Sequence, residues 1–200
     1  MSGISFEDRL ADALDNTVGD DGVALLRKQS MSMRRGSFQM SQEADVLLDS
    51  KDRAFYAAFE CKSRDYQTSR ERGLTGLYFS GDYSDEQIEK QAHYRDLSGR
   101  RFFVGVELRE FRDAGTACYL VPFSVFEIEA ANGNTKVTWE KIAYLGRYVG
   151  DTTLEVGLDD LDYVESVGNA YEKDPEGVSA WVDEVDDGET LPVEVEYPVE

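Results

Sequence analysis

Histidine is almost missing from this chain, with His93 the single one in 200 residues. That excludes histidine-built zinc or iron sites and any dyad needing a second imidazole, and a lone His on a polar helix reads as an exposed residue. Cysteine is nearly as scarce. Cys61 and Cys118 are too few for a disulfide framework and do not form a Cys-x-x-Cys pair, so a reducing interior is expected and both read as core. No apolar run approaches ~18 residues, so no membrane span is expected, and the acidic, amphipathic first 14 residues do not read as a signal peptide. There is no internal repeat. Positive charge is scarce in one half only: residues 1–112 hold 17 Lys/Arg against 20 Asp/Glu, whereas residues 113–200 hold 4 against 21. With a net charge of −20 and 14 Arg against 7 Lys, the composition points to a high-salt cytoplasm, where dense carboxylates keep a surface hydrated. An acidic tail used for regulation or solubility is the alternative.

What is present reads as an α/β protein. Ser5 is placed to cap a helix over residues 6–16, with Phe6, Leu10, Ala13 and Leu14 at helical spacing. Residues 23–28 read as a strand and 29–42 as a loop rich in Ser, Met and Gln. Residues 65–83 read as a second polar loop. Ser84 or Asp85 caps a helix running to about residue 97, and residues 101–108 are strongly strand-like. Residues 117–125 read as another strand, which Pro122 makes an edge or a strand end. Residues 124–130 read as a short helix or turn, and 136–142 and 144–149 as short strands. Trp139 and Trp181 read as packing residues. Composition shifts after Gly150, where residues 151–200 hold 17 acids and the single basic residue Lys173. The expected division is a domain over 1–150 and an acidic C-terminal extension over 151–200. Leu154, Val156, Leu158, Leu161, Trp181 and Val182 would dock that extension, and a disordered tail would begin near Asp183.

The stretch that carries chemistry is residues 43–64. It reads as a β-hairpin with one arm over 44–48, a polar turn over 49–52, and a second arm over 54–62 ending Glu60-Cys61-Lys62. Alternation puts Glu60 and Lys62 on one face of the strand and Cys61 on the other. Asp45 on one arm and Glu60-x-Lys62 on the next can converge, and two carboxylates beside a lysine suit a hard divalent cation and an activated water. The plain alternative is a same-face surface ion pair, Glu60 with Lys62, worth little energy.

Asp45, then Glu60-x-Lys62 after fourteen intervening residues, followed by a helix and a strand, resembles the PD-(D/E)XK nuclease superfamily. It is most similar there to the archaeal Holliday-junction resolvases. Glu7-Asp8-Arg9-Leu10 stands where that family carries a first-helix acid, and residues 54–63 are similar to its second hairpin arm. Ala44 replaces the usual Pro before the Asp. The loop before Asp45 is longer, leaving Ser30, Ser32, Ser37 and Ser41 to compete for that family's loop serine, and residues 65–83 look like an insertion. The resemblance implies a restriction-endonuclease-like core, a central mixed β-sheet flanked by helices. It implies Mg²⁺-dependent hydrolysis of DNA phosphodiesters, with Mn²⁺ a substitute. Asp45, Glu60 and the backbone carbonyl of Cys61 would hold the metal. Lys62 would position the nucleophile or neutralise developing charge, Glu7 would add a carboxylate, and Gln91 would orient the lysine or a water.

Arg27, Lys28, Arg34, Arg35, Arg64, Arg70 and Arg72 flank the motif and are the expected DNA contacts, because phosphate contacts dominate DNA affinity. The expected substrate is branched or four-way-junction DNA, cut by a two-fold homodimer. Gln91-x-x-Tyr94 suits a second enzyme reading, a restriction-type or RecB-like exonuclease. A catalytically idle DNA-binding protein and an acidic DNA mimic complete the alternatives.

Overall fold

The computed structural model describes residues 4–26, 44–51, 55–111, 115–186 and 196–198. Among these residues the protein is α/β, with a six-stranded mixed sheet and seven α-helices. The sheet runs β1 (Gly22–Leu26), β2 (Val46–Ser50), β3 (Ala57–Asp65), β5 (Arg101–Phe111), β6 (Gly115–Pro122), β8 (Arg147–Gly150). Only β3 and β5 pair in parallel; every other neighbour is antiparallel. A separate two-stranded sheet joins β4 (Gly76–Tyr78) to β7 (Lys136–Thr138).

Two apolar layers sandwich the large sheet. On one face lies α1 (Phe6–Val18), started by Ser5, whose hydroxyl accepts from the Asp8 N–H at 3.2 Å. Phe6, Leu10, Leu14 and Val18 bury against Phe59, Phe103 and Leu120. Gly105 on β5 permits this approach: a Cβ there would lie 3.1 Å from the Phe6 ring. Removing Leu10, which is fully buried, is expected to cost ~2–5 kcal/mol. The other face carries α3 (Asp85–Ser98), α4 (Phe123–Ala131) and α5 (Trp139–Leu145) over Val104, Val106, Tyr119 and Val121.

The acidic C-terminal stretch is built into this body through residue 185. Its helices α6 (Leu158–Lys173) and α7 (Pro175–Val185) carry Leu161, Val164, Val167, Tyr171, Val178 and Val182 into the two cores. Those residues fall at helical spacing, and the acids occupy the faces between them. Leu154 and Val156 are buried too, and Trp181 packs edge-on against Tyr144 and Tyr197. The helix therefore runs past Asp183, where sequence composition predicts a tail.

Three further expectations change. Residues 65–83 are not a continuous loop: they hold α2 (Tyr66–Glu71) and β4. Residues 136–142 are strand only to Thr138, whose hydroxyl accepts from the Lys141 N–H at 3.3 Å and starts α5. The expected strand at 144–149 begins at Arg147. Pro122 is a strand end, one of its two expected roles: it closes β6, which lies between β5 and β8.

Arg100 fastens one end of the hairpin. Its guanidinium donates to the carbonyls of Leu48 (3.0 Å) and Ala57 (3.3 Å) and to Asp49 (2.6 Å), and it lies 3.8 Å from the Tyr56 ring centroid. At the other end β2 pairs with β3 only as far as Phe59, while β3 continues beside β5 to Asp65. The strands part where Asp45 and Glu60 lie.

Candidate active site

The antiparallel register Val46↔Phe59, continued by the Asp45 N–H donating to the Phe59 carbonyl at 2.9 Å, brings Asp45 level with Glu60. Asp45 Oδ2 accepts from the Cys61 N–H at 2.8 Å. The N–H and C=O of one strand residue point to the same edge, so the Cys61 carbonyl faces Asp45 as well. Glu60 and Lys62 lie on the α3 face, and their ion pair is 2.7 Å long.

Helix α3 supplies the rest. Ser84 caps it by accepting from the Gln87 N–H at 3.2 Å, which sets Gln87 and Gln91 one turn apart above β3. Gln87 Nε2 donates to Glu60 Oε1 at 2.6 Å, and Lys62 Nζ lies 3.5 Å from Gln87 Oε1. Gln91, fully buried, donates to Glu60 Oε2 at 2.7 Å and accepts from the buried Tyr83 hydroxyl. The Lys62 ammonium lies 4.7 Å from the Tyr83 ring centroid, a cation–π contact. Glu60, Lys62, Gln87, Gln91 and Tyr83 thus form a closed polar ring.

This geometry corrects two expectations. The Glu60–Lys62 pair is not a surface pair: its side chains are 5% and 12% exposed. Gln91 orients Glu60 rather than the lysine; Gln87 is the residue that reaches Lys62. The i, i+4 spacing of Gln87 and Gln91 was readable, but only the β3 register shows where that helix face lands.

Electrostatics mark Asp45. Its pKa is pushed from 3.8 up to about 6, first by burial and then by the charge of Glu60, with Glu7 adding a smaller push; the Cys61 N–H and Lys62 pull it back. Negative charge is in surplus here, which favours a cation. Among the described residues no group of three His, Cys, Asp or Glu side chains is arranged around a metal position. The fitting donor set is two carboxylates and a carbonyl. Each carboxylate has about four lone-pair positions, and Glu60 has three taken, so one remains. Asp45, Glu60 and the Cys61 carbonyl are hard oxygen donors of the kind Mg²⁺ takes, with water filling the remaining positions. Glu7, half-buried on α1, adds charge from the opposite layer.

Cys61 and Cys118 are buried thiols. Burial pushes Cys61 well above its ordinary value, with Asp45 adding to it, and Cys118 to about 12, so neither is a nucleophile. His93 is exposed. Glu107 went unrecognised in the sequence: on β5, opposite Ser63, it accepts from Ser63 and pairs with Arg9, tying α1 to the strand that carries Lys62. Arg64 is paired with Asp82, whereas Arg70 and Arg72 are exposed at the end of α2. Arg27, Lys28, Arg34, Arg35 and the four candidate serines lie outside the described residues. Tyr94 packs edge-on against Phe102. No helix among the described residues is long and apolar enough to cross a membrane.

Compared with known proteins, the chain matches no protein-family model and no curated protein.

Proposed function

We propose that this protein is a Mg²⁺-dependent, structure-selective DNA endonuclease with a restriction-endonuclease-like core, similar to a Holliday-junction resolvase and acting as a two-fold homodimer. The observation that carries the proposal is the register placing Asp45 beside Glu60, with Lys62 clamped on the same face and Asp45 raised to about pKa 6 by burial and then by the charge of Glu60. Asp45, Glu60 and the Cys61 carbonyl would hold the metal. When bound, such a cation lowers the pKa of a coordinated water and offsets charge on phosphate oxygens. Gln87 and Gln91 fix both Glu60 oxygens, so the carboxylate does not rotate. The Lys62 ammonium has three N–H bonds; Glu60 and Gln87 accept two, leaving one for a phosphate oxygen or the attacking water.

A restriction-type or RecB-like exonuclease is the second reading, favoured by the direct contact of Gln91 with Glu60.

The test incubates labelled four-way junction, linear duplex and single strand with Mg²⁺ at high salt, using the wild type, Asp45→Ala and Lys62→Ala. Junction cleavage by the wild type alone is expected. Equal cleavage by all three proteins refutes the site, and digestion from linear ends without junction preference replaces the resolvase reading with the exonuclease.

A further inference from the structure

Cations are a minority in this chain, and most of those described are paired with an acid. Among the described residues, each Lys and Arg forms an ion pair with a carboxylate except Arg70, Arg72, Lys136 and Lys173. Lys173 is accounted for: it ends α6, where a cation offsets the helix dipole. The other three gather in one block. Arg70 and Arg72 end α2, and Arg70 lies 5.7 Å from the Tyr66 ring centroid. Lys136, opposite Tyr78 on the small sheet, donates to Thr75 and lies 5.2 Å from the Tyr78 ring centroid. Glu71, between the two arginines, pairs with neither.

We propose that this block, α2 with the β4–β7 sheet, is a DNA-gripping arm whose Arg70, Arg72 and Lys136 contact phosphates away from the scissile one, with Tyr78 beside them. The inference rests on the nuclease reading of the adjacent site and adds where the substrate lies. In a surface this acidic, three cations on one block with no carboxylate partner offer an anionic ligand charge that is not already neutralised. The arm is rigidly joined to the site. Strand β3 runs from Lys62 directly into α2. Asp82 accepts from the Tyr78 N–H at 3.1 Å and pairs with Arg64, and the Tyr83 N–H donates to the Tyr78 carbonyl at 3.2 Å. The four residues from Lys62 to Tyr66 span ~13 Å, a few base pairs along a duplex at ~3.4 Å per step.

The experiment measures fluorescence anisotropy of labelled duplex and four-way junction across a salt series. It compares wild type, Arg70→Ser/Arg72→Ser/Lys136→Gln and Lys173→Gln, all without added metal, with thermal melting confirming that each is folded. A loss of about 10-fold or more for the triple variant is expected, with the log–log salt slope falling by about 0.9 per phosphate contact removed, and no change for Lys173→Gln. Equal losses for the triple variant and Lys173→Gln mean bulk charge and overturn the arm. Wild-type affinity and slope in the triple variant overturn it as well. Both results leave the nuclease reading standing if the wild type still cleaves with Mg²⁺ and Asp45→Ala does not. A wild type that binds no DNA in this series also overturns the arm, and the same Mg²⁺ cleavage assay then decides the nuclease reading separately.

Discussion

Among the described residues two buried acid–lysine pairs stand out, and they differ in company rather than in burial. Glu60 and Lys62 are 5% and 12% exposed; Glu129 and Lys141, on α4 and α5, are 7% and 17% exposed. Glu129 meets Lys141 at 2.9 Å, accepts from Asn134 at 3.1 Å and from the Tyr171 hydroxyl, and so joins α4, α5 and α6. Although burial works against its charge, Lys141 is held above its ordinary pKa by Glu129 and Tyr171. One acid answers one cation there. At Glu60 a second carboxylate, Asp45, crowds in, its pKa raised first by burial and then by the charge of Glu60. A buried ion pair alone is architecture; a pair with surplus charge of one sign has chemistry to offer.

The comparison can be broken by mutation. Asp45→Ala or Lys62→Ala is expected to lower Mg²⁺-dependent DNA cleavage by about 10³-fold, equivalent to ~4 kcal/mol, while Glu129→Gln leaves the rate per folded molecule unchanged. A comparable rate loss in Glu129→Gln would erase the distinction. Stability should show the reverse order. Glu129→Ala leaves Lys141 buried beside no carboxylate and is expected to cost ~3–5 kcal/mol in urea unfolding. Glu60→Ala is expected to cost less, because Asp45 remains to answer Lys62 and its repulsion is relieved.

Acid titration sharpens the contrast further. The folded pKa of Asp45, about 6, exceeds its ordinary 3.8, so folding takes up a proton between these values. The stability this confers is fully present below about pH 3.8 and is lost as pH rises through about 6. In metal-free protein, Asp45→Asn is therefore expected to gain on the order of 1–2 kcal/mol over wild type at pH 7.5, shrinking toward zero near pH 4. Added Mg²⁺ should raise the melting temperature of the wild type at pH 7.5 and not of Asp45→Asn; a shift of equal size in both would place the metal elsewhere. The smallest effect is expected for Tyr83→Phe, which removes the hydroxyl donated to Gln91 and costs ~1 kcal/mol but keeps the ring under Lys62. Cleavage falling as far as in Lys62→Ala would make the hydroxyl, not the ring, the part that matters.

Much of this was legible because local signals agree with tertiary ones. Ser5 precedes helical periodicity, Ser84 precedes an acidic first turn, and each caps the helix it announces. The run at 102–106 is apolar without interruption because β5 is covered on both faces there. Asp45, Glu60 and Lys62 were visible as a spacing, and the register supplied the meeting. What stayed hidden depends on contacts between distant segments. The α2 helix has six residues and buries only Tyr66 and Ser69, so it has almost no periodicity to read. Val137 to Glu140 alternates like a strand, yet Thr138 can cap a helix as easily as extend one, and the pairing of β7 with β4 decides where the switch falls. Gln87, Tyr83 and Glu107 were passed over because uncharged or isolated polar residues carry no motif; they matter through what β3 places beneath or beside them.

Arg100 has a mechanical consequence. It pins β2 to β3 at the Leu48 and Ala57 carbonyls, at the end of the hairpin remote from Asp45 and Glu60. The other end is held by the Asp45 N–H bond to the Phe59 carbonyl and the Cys61 N–H bond to Asp45, so the hairpin resembles tweezers with the firmer grip at Arg100. On the proposed function, widening for a hydrated ion or a phosphate is expected at the tips, pivoting about the guanidinium. Amide hydrogens near Leu48 and Ala57 should then exchange slowest in the hairpin, and the Asp45 N–H fastest, so the fulcrum can be found without any substrate.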